Sequence, residues 1–190
     1  PVHIALAARE CRHADGVQIE SFLEELIVRR ELAHNFTLHT AGYDRIDCVP
    51  AWAWATLEKH RGDPRTHVYT ARQLDQARTH DPYWNAAMRE MKYTGFMHNY
   101  MRMYWGKKIL EWTASPQAAF RIALELNNRY LLDGRDPNSY AGVAWLFGVH
   151  DRPWQERAVF GTVRYMNAAG LERKSDIAEY RSEVRRVGKG

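Results

Sequence analysis

Cysteine is nearly missing from this 190-residue sequence, which has only Cys11 and Cys48. The two make no CxxC and no His/Cys spacing of a metal site. That argues against a disulfide framework or a zinc centre and fits a reducing compartment. Long apolar runs are missing as well. Nothing approaches the roughly 20 residues of a membrane-spanning helix. The start, with His3, Arg9 and Glu10, has no continuous apolar region of the kind a signal peptide carries. No GxSxG, HExxH or GxxxxGK[ST] occurs, so a hydrolase reading finds no support. His60, His67, His80, His98 and His150 stand too far apart to suggest a metal site from spacing. No run alternates with period two, and no repeat or low-complexity stretch is present. Charge of one sign is scarcely in excess: 27 Lys and Arg against 23 Asp and Glu leave a net charge of +4. That mild basic bias permits a nucleic-acid surface without demonstrating one.

What the sequence does have is aromatic and helical. Hydrophobic residues make up 45%, with seven Trp and ten Tyr, enough for one domain with a substantial core. The stretch MHNYMRMYWGKKILEW, residues 97–112, places Met97, Tyr100, Met101, Tyr104, Trp105, Ile109 and Trp112 at three- and four-residue steps. This is the period of a helix packed on more than one side. Arg102 lies one turn before Trp105. Trp105 and Trp112 are two turns apart, an axial offset of about 10.5 Å. Core packing is the commoner meaning of such a pattern, although a planar cofactor would also fit it.

Along the chain, residues 1–16 read as small and mixed, with a turn at Asp15-Gly16. A helix is expected from about Val17 to Asn35, with ion pairs on its solvated face. Residues 36–49 read as loop, followed by a helix from Pro50 to about His60 and a short one from Thr70 to about Thr79. Asp81-Pro82 and Ser115-Pro116 each pair an N-cap with Pro at the first turn, starting helices that run to about Lys92 and Tyr130. The central helix lies between them, and a lone His98 on it reads as a hydrogen-bonded core residue. Asn128 reads as a C-terminal cap. Residues 131–138 form a polar turn, 140–149 a tightly packed helix, and 160–170 an irregular segment. Six to eight helices with short loops predict an all-α domain. Arg102 and Asp133 read as a buried ion pair, which burial makes costly unless a further polar group shares it.

TGFMHNYMRMYWGKKILEWT, then ALELNNRYLLDGRDPNSYAGVAW, then FGTVRYMNAAG, resembles the C-terminal half of a class II cyclobutane pyrimidine dimer photolyase. FLEELIVRREL, at 22–32, resembles that family's helix meeting both flavin and DNA. TGxMHNxxRM is shared across the photolyase/cryptochrome superfamily, while YWxKKILEW and DGRDPN point to class II. The resemblance runs from about Glu20 to Ile177. It implies the C-terminal part of a helical FAD-binding catalytic domain at 1–180 and a basic tail at 181–190. It also implies a carbon–carbon lyase that uses light and reduced FAD to split pyrimidine dimers in UV-damaged DNA. The lesion is flipped from the duplex into a pocket, as chemistry on an embedded base requires. A monomer is expected, with no membrane association, cytoplasmic in a bacterium or archaeon and nuclear in a eukaryote.

Carried across by position, the resemblance gives Arg102 and Asp133 as the ion pair beside the flavin ring. It gives Asn127 as the amide facing the ring's reactive side and Arg29 as a flavin phosphate contact. Glu25 resembles the carboxyl that hydrogen-bonds the dimer, Met103 and Trp145 the apolar walls of the lesion pocket, and Arg164 the segment filling the gap in flipped DNA. Trp84, Trp105 and Trp112 fit the family's electron relay, with Trp105 nearest the flavin. Trp52, Trp54 and Trp154 read as core or surface residues, and no metal is implied. An antenna chromophore would bind outside this segment, and a complete flavin pocket requires more chain. The start at Pro1, without an initiator Met, is expected of a fragment, a processed chain or part of a longer one. A flavin photoreceptor of the cryptochrome kind, which signals instead of repairing, is the alternative. Glu25, Met103 and Trp145 favour repair, since signalling needs no lesion pocket.

Overall fold

The computed structural model describes residues 1–11 and 13–173. The tail at 181–190 and the end of the resemblance near Ile177 lie outside the described residues. Among the described residues the chain forms α-helices, short π and 3-10 turns, and one isolated bridge, Arg157 to Gly161, but no strand. The fold is all-α.

The first helix, α1 (Val2–Arg9), falls where a turn-rich segment was expected. Its VHIALAAR composition favours helix locally, Ala and Leu being the best formers, and none of its residues is buried. Asp15 then caps α2 (Gly16–Leu23), accepting from Gln18 N at 2.7 Å. The backbone continues without a break through a π-helical stretch, Glu24–Arg29, into α3 (Arg30–His39). The periodic run expected to close at Asn35 thus extends to His39. After a 3-10 turn, Ile46–Cys48, come α4 (Ala51–Lys59) and α5 (Ala71–Asp75). The Thr70–Gln73 capping box starts α5, which is shorter than expected.

Four helices build the core: α6 (Pro82–Thr94), α7 (Asn99–Trp112), α8 (Pro116–Tyr130) and α9 (Pro137–Leu146). Three of them begin with a cap followed by Pro. Asp81 Oδ1 accepts from Tyr83 N and Trp84 N, Ser115 Oγ from Ala118 N, and Asp136 Oδ1 from Asn138 N. Such a cap contributes about 1 kcal/mol. Gly95, at φ +70°, ends α6 in the left-handed conformation, which only glycine adopts freely. His98 is exposed and caps α7, its Nδ1 accepting from Tyr100 N at 3.3 Å, so it is not a core residue. Asn128 is not the C-cap of α8, where Leu131 stands. Instead its Oδ1 accepts from Arg135 N at 3.1 Å and closes the 131–136 turn. The last described helix, α10 (Ala168–Glu172), follows an irregular segment.

The central helix α7 is buried on nearly all sides. Met101, Tyr104, Trp105, Gly106, Lys107, Lys108, Ile109, Leu110 and Trp112 are all inside. It packs against α6, α8 and α9, while α3 lies against α9. The approach of α7 to α9 is set by Gly106, where an added Cβ would meet Leu146 Cδ1 at 2.2 Å. Gly106→Ala is expected to destabilise the fold by about 1–3 kcal/mol through overpacking, read as a lower denaturation midpoint in urea. An unchanged midpoint would mean that Leu146 has room to turn aside.

Candidate functional site

A buried chain of indoles joins α6 to α7. Trp84, Trp105 and Trp112 are 0%, 1% and 3% exposed. Trp84 stacks on Trp105 with ring centroids 6.3 Å apart and planes 11° from parallel. It meets Trp112 edge-on at 5.9 Å. Trp105 and Trp112 lie two turns apart on one helix, and Trp84, from the neighbouring helix, stands in ring contact with both. Trp84 Nε1 donates to the backbone carbonyl of Trp105 at 2.9 Å. Tyr104 donates to Asp81, the carboxylate that caps the helix carrying Trp84. Burial raises the Tyr104 phenol far above its ordinary pKa, and Asp81 as acceptor raises it further, so it stays a donor. Beyond Trp112 the contacts turn polar. Tyr69 and His80 lie 5.6 and 5.0 Å from its ring, and Tyr69 Oη bonds His80 Nδ1 at 2.8 Å. Trp112 and His80 line an open cavity of about 640 Å³, so this end of the chain lies next to open space.

One turn before Trp105, Arg102 reaches across to the turn after α8. Its two terminal nitrogens bond both Asp133 oxygens, at 2.8 and 3.0 Å. The pair is less buried than expected: the side chains are 19% and 41% exposed. Asn127, 1% exposed, has its amide nitrogen committed to Ser139 Oγ at 2.9 Å and Asn128 Oδ1 at 3.1 Å. Ser139 Oγ in turn donates to the Asp133 carbonyl at 2.7 Å. Asn127 and the acid of the ion pair are therefore tied through one hydroxyl. With both amide hydrogens taken, the carbonyl oxygen is what Asn127 has left to offer.

Arg102 Nε and Trp105 Nε1 are buried donors without a partner among the described residues. Unsatisfied donors cost about 1–3 kcal/mol each, and here two stand on one turn of α7 beside an ion pair open to solvent. The residues present fit an acceptor-rich planar ring such as a flavin, with Arg102, Asp133 and Asn127 as the groups that would hold it.

A second cluster surrounds Trp145, which is half-buried near the end of α9. Lys107 Nζ lies 4.8 Å and Arg164 Cζ 5.2 Å from its ring centroid. Arg164 also lies 4.1 Å over the ring of Trp154 and makes two hydrogen bonds to Asp151, at 3.0 and 3.2 Å. Burial pushes Asp151 up, but the bonds from Arg164, the Arg152 backbone and Trp154, with the Arg164 charge, together outweigh it and hold the carboxyl below its usual range. Trp154 is 38% exposed, a surface residue that belongs to this cluster and not to a core. Met103 is half-buried against the core. Glu25 and Arg29 both sit in the π-helical stretch and are exposed. Arg29 pairs with Glu24 at 3.4 Å. Among the described residues, no hydrogen bond or ion pair joins either to Arg102, Asn127 or Trp145. π-Helical turns recur at functional sites because they break the regular helical register.

The sequence shares 57% identity over 185 residues with a deoxyribodipyrimidine photo-lyase of Methanothermobacter thermautotrophicus, covering 97% of this chain and 40% of the relative. With the enzyme of that name from Oryza sativa it shares 51% over 184 residues, 96% of this chain and 36% of the relative. With that from the marsupial Potorous tridactylus it shares 48% over 174 residues, 91% and 32%. By sequence the chain is a relative of the photolyases. It spans about two fifths or less of the length of these curated relatives. No family model matches it.

The segment that carries Arg164 reads in the sequence as irregular, without the contacts that hold it. Residues 151–165 are pinned to α4 by His60, which bonds Asp63 through Nδ1 at 2.6 Å and Glu156 through Nε2 at 2.8 Å. Asp63 also accepts from Val159 N at 2.9 Å. The spacing of His60 from Glu156 in the chain hides this contact. Glu156 foremost, then Asp63, raise the His60 pKa. Val159 N–H and then His60 lower that of Asp63, and His60 and then Lys59 lower that of Glu156. The histidine contribution is therefore complete below its unfolded value, about 6.5, and lost as pH rises through the raised folded value. The carboxylate contributions are present above the ordinary carboxylate range and lost as pH falls through their lowered values. His60→Gln is expected to lower Tm more at about pH 5.5 than at about pH 9. An equal loss at both would show that the imidazole charge adds nothing.

Proposed function

We propose that this chain forms the flavin- and lesion-facing part of an enzyme that repairs cyclobutane pyrimidine dimers in UV-damaged DNA with light. The observation that carries the reading is the continuous path Trp112–Trp84–Trp105, ending one helical turn from the Arg102–Asp133 pair. Indoles in near contact, sealed from water and joined to an ion pair beside unsatisfied donors, suit inward passage of electrons better than packing alone. The names and identities of the relatives support the same reading.

Reduced FAD, when bound, supplies the photoexcited electron that the dimer takes up; the protein places and tunes it. Arg102 and Asp133 would hold the flavin ring, with Asn127 at its reactive side and Arg29 at its phosphates. Trp84 would carry electrons between Trp112 at the outer end and Trp105 at the inner, a path that would supply electrons to oxidised flavin and would take no part in repair. Glu25 hydrogen-bonds the flipped dimer and steadies the negative charge it gains. Met103 and Trp145 wall the lesion pocket, while Arg164 occupies the space the flipped bases leave. An antenna chromophore, where there is one, binds outside this segment.

The deciding experiment illuminates the complete flavoprotein with UV-irradiated DNA and counts remaining dimers. Light-dependent loss is expected. A flavin-bearing protein that removes none in light would overturn repair and leave a photoreceptor. Trp84→Phe is expected to slow photoreduction of oxidised flavin by at least tenfold, with repair by pre-reduced enzyme close to wild type. Equal loss of both would remove Trp84 from the relay. Glu25→Ala is expected to cut the repair yield severalfold while flavin stays bound; release of flavin instead would make Glu25 structural.

A further inference from the structure

Lys107 is wholly buried, at 0% exposure, and among the described residues it has no carboxylate within ion-pair distance. Its Nζ donates to the carbonyl of Leu146, the last residue of α9, at 2.6 Å. The same nitrogen lies 4.8 Å from the centroid of Trp145, one residue earlier. An apolar side chain of similar length would fill this space without the desolvation that a buried ammonium suffers. What the ammonium adds is charge. It meets the negative end of the α9 dipole, and it attracts the indole face electrostatically, an effect strengthened where water is excluded. Arg164 contacts the same indole at 5.2 Å and is itself held by Asp151. Trp145 is thus held by one cation from the core and one from the surface segment.

We infer that Lys107 is a positioning residue for the lesion pocket: it fixes the Trp145 ring and places a buried positive charge behind the wall on which the dimer rests. This rests on the reading of Trp145 as that wall. The role follows from charge as well as shape, because a dimer accepting an electron becomes negative and a cation behind the wall favours that state. The charged groups acting on Lys107 are Asp151, which favours its protonation, and Arg164, which opposes it. Burial, with Arg164 acting in the same direction, outweighs Asp151 and brings the ammonium down to about 7, so that its charge is lost as pH rises through neutrality.

The test measures the affinity of the complete flavoprotein for dimer-containing DNA relative to undamaged DNA of the same sequence, from about pH 6 to pH 8.5. The ratio cancels the general pH dependence of DNA binding. In wild type it is expected to fall about three- to tenfold across this range, a size between that of an exposed and a desolvated cation–π contact. Lys107→Met is expected to lower the ratio at about pH 6 and flatten the profile, with flavin content kept. In a double-mutant cycle with Trp145→Phe the two losses are expected to be less than additive. A flat wild-type profile overturns the inference even if Lys107→Met fails to fold. So does a folded Lys107→Met that follows the wild-type curve, or losses that simply add. A Trp145→Ala variant that keeps full dimer preference would instead overturn the reading of the pocket, and the inference with it.

Discussion

The hydrogen bond from Trp84 Nε1 to the Trp105 carbonyl, together with the Asp81–Tyr104 contact, is the constraint on which the rest of this structure depends. A buried indole N–H usually finds an acceptor, and for Trp84 the acceptor is the backbone of the residue whose ring it stacks upon. One contact therefore fixes both the depth and the tilt of α6 against α7. Asp81 adds a second restraint. One of its oxygens starts the helix that carries Trp84, and the other accepts from Tyr104 on the facing helix. Satisfying the polar atoms of this interface forces three indoles into sequence. The order of the chain of rings is a by-product of hydrogen-bond accounting in a core too crowded for water.

The Arg102–Asp133 pair obeys a different logic. It spans two elements, is bidentate, and remains partly open to water. An exposed pair contributes little to stability, and a fully buried one costs more than it returns. A half-open pair that leaves Nε without an acceptor is poorly explained by folding alone. Ser139, on α9, links the Asp133 backbone to Asn127 on α8, and both helices are started by a cap and Pro.

Much of this was legible in the sequence. The cap-plus-Pro signals at Asp81 and Ser115 and the α7 period are local, while the Arg102–Asp133 pairing, 31 residues apart, drew on charge type and on the family resemblance. The same Asp-Pro signal at Asp136 was passed over because it fell inside a polar turn cluster, and the expected helix was drawn three residues late. The α1 helix was missed because it buries nothing: its formation is propensity without a periodic face. His98 was misjudged because an aromatic helix suggested a core, whereas its position at the helix start made it a cap. The place of Trp84 between the other two indoles, the Lys107 contact with α9 and the His60–Glu156 bond were not read. Each joins residues more than twenty positions apart, and no spacing rule reaches that far.

The tryptophans fall into two electrostatic classes, and the division bears on how electrons would travel. Among the described residues no cation lies over the ring of Trp84 or Trp105; the nearby charges are the Asp81 carboxylate at the Trp84 backbone N–H and the mutually paired Arg102 and Asp133 one turn from Trp105. Near Trp112, Lys108 lies 5.7 Å from the ring but is neutralised by Glu111, 2.5 Å from its nitrogen. Trp145 has two cations near its ring, one of them without a carboxylate partner, and Trp154 has Arg152 as well as Arg164. Removing an electron from a ring beside an uncompensated positive charge costs more than from one in a neutral setting, and the difference grows as the dielectric falls. The same fold therefore makes one set of indoles easier to oxidise and protects the other. Among the described residues, the three indoles of the α6–α7 interface combine burial and ring-to-ring contact with no unpaired cation over a ring.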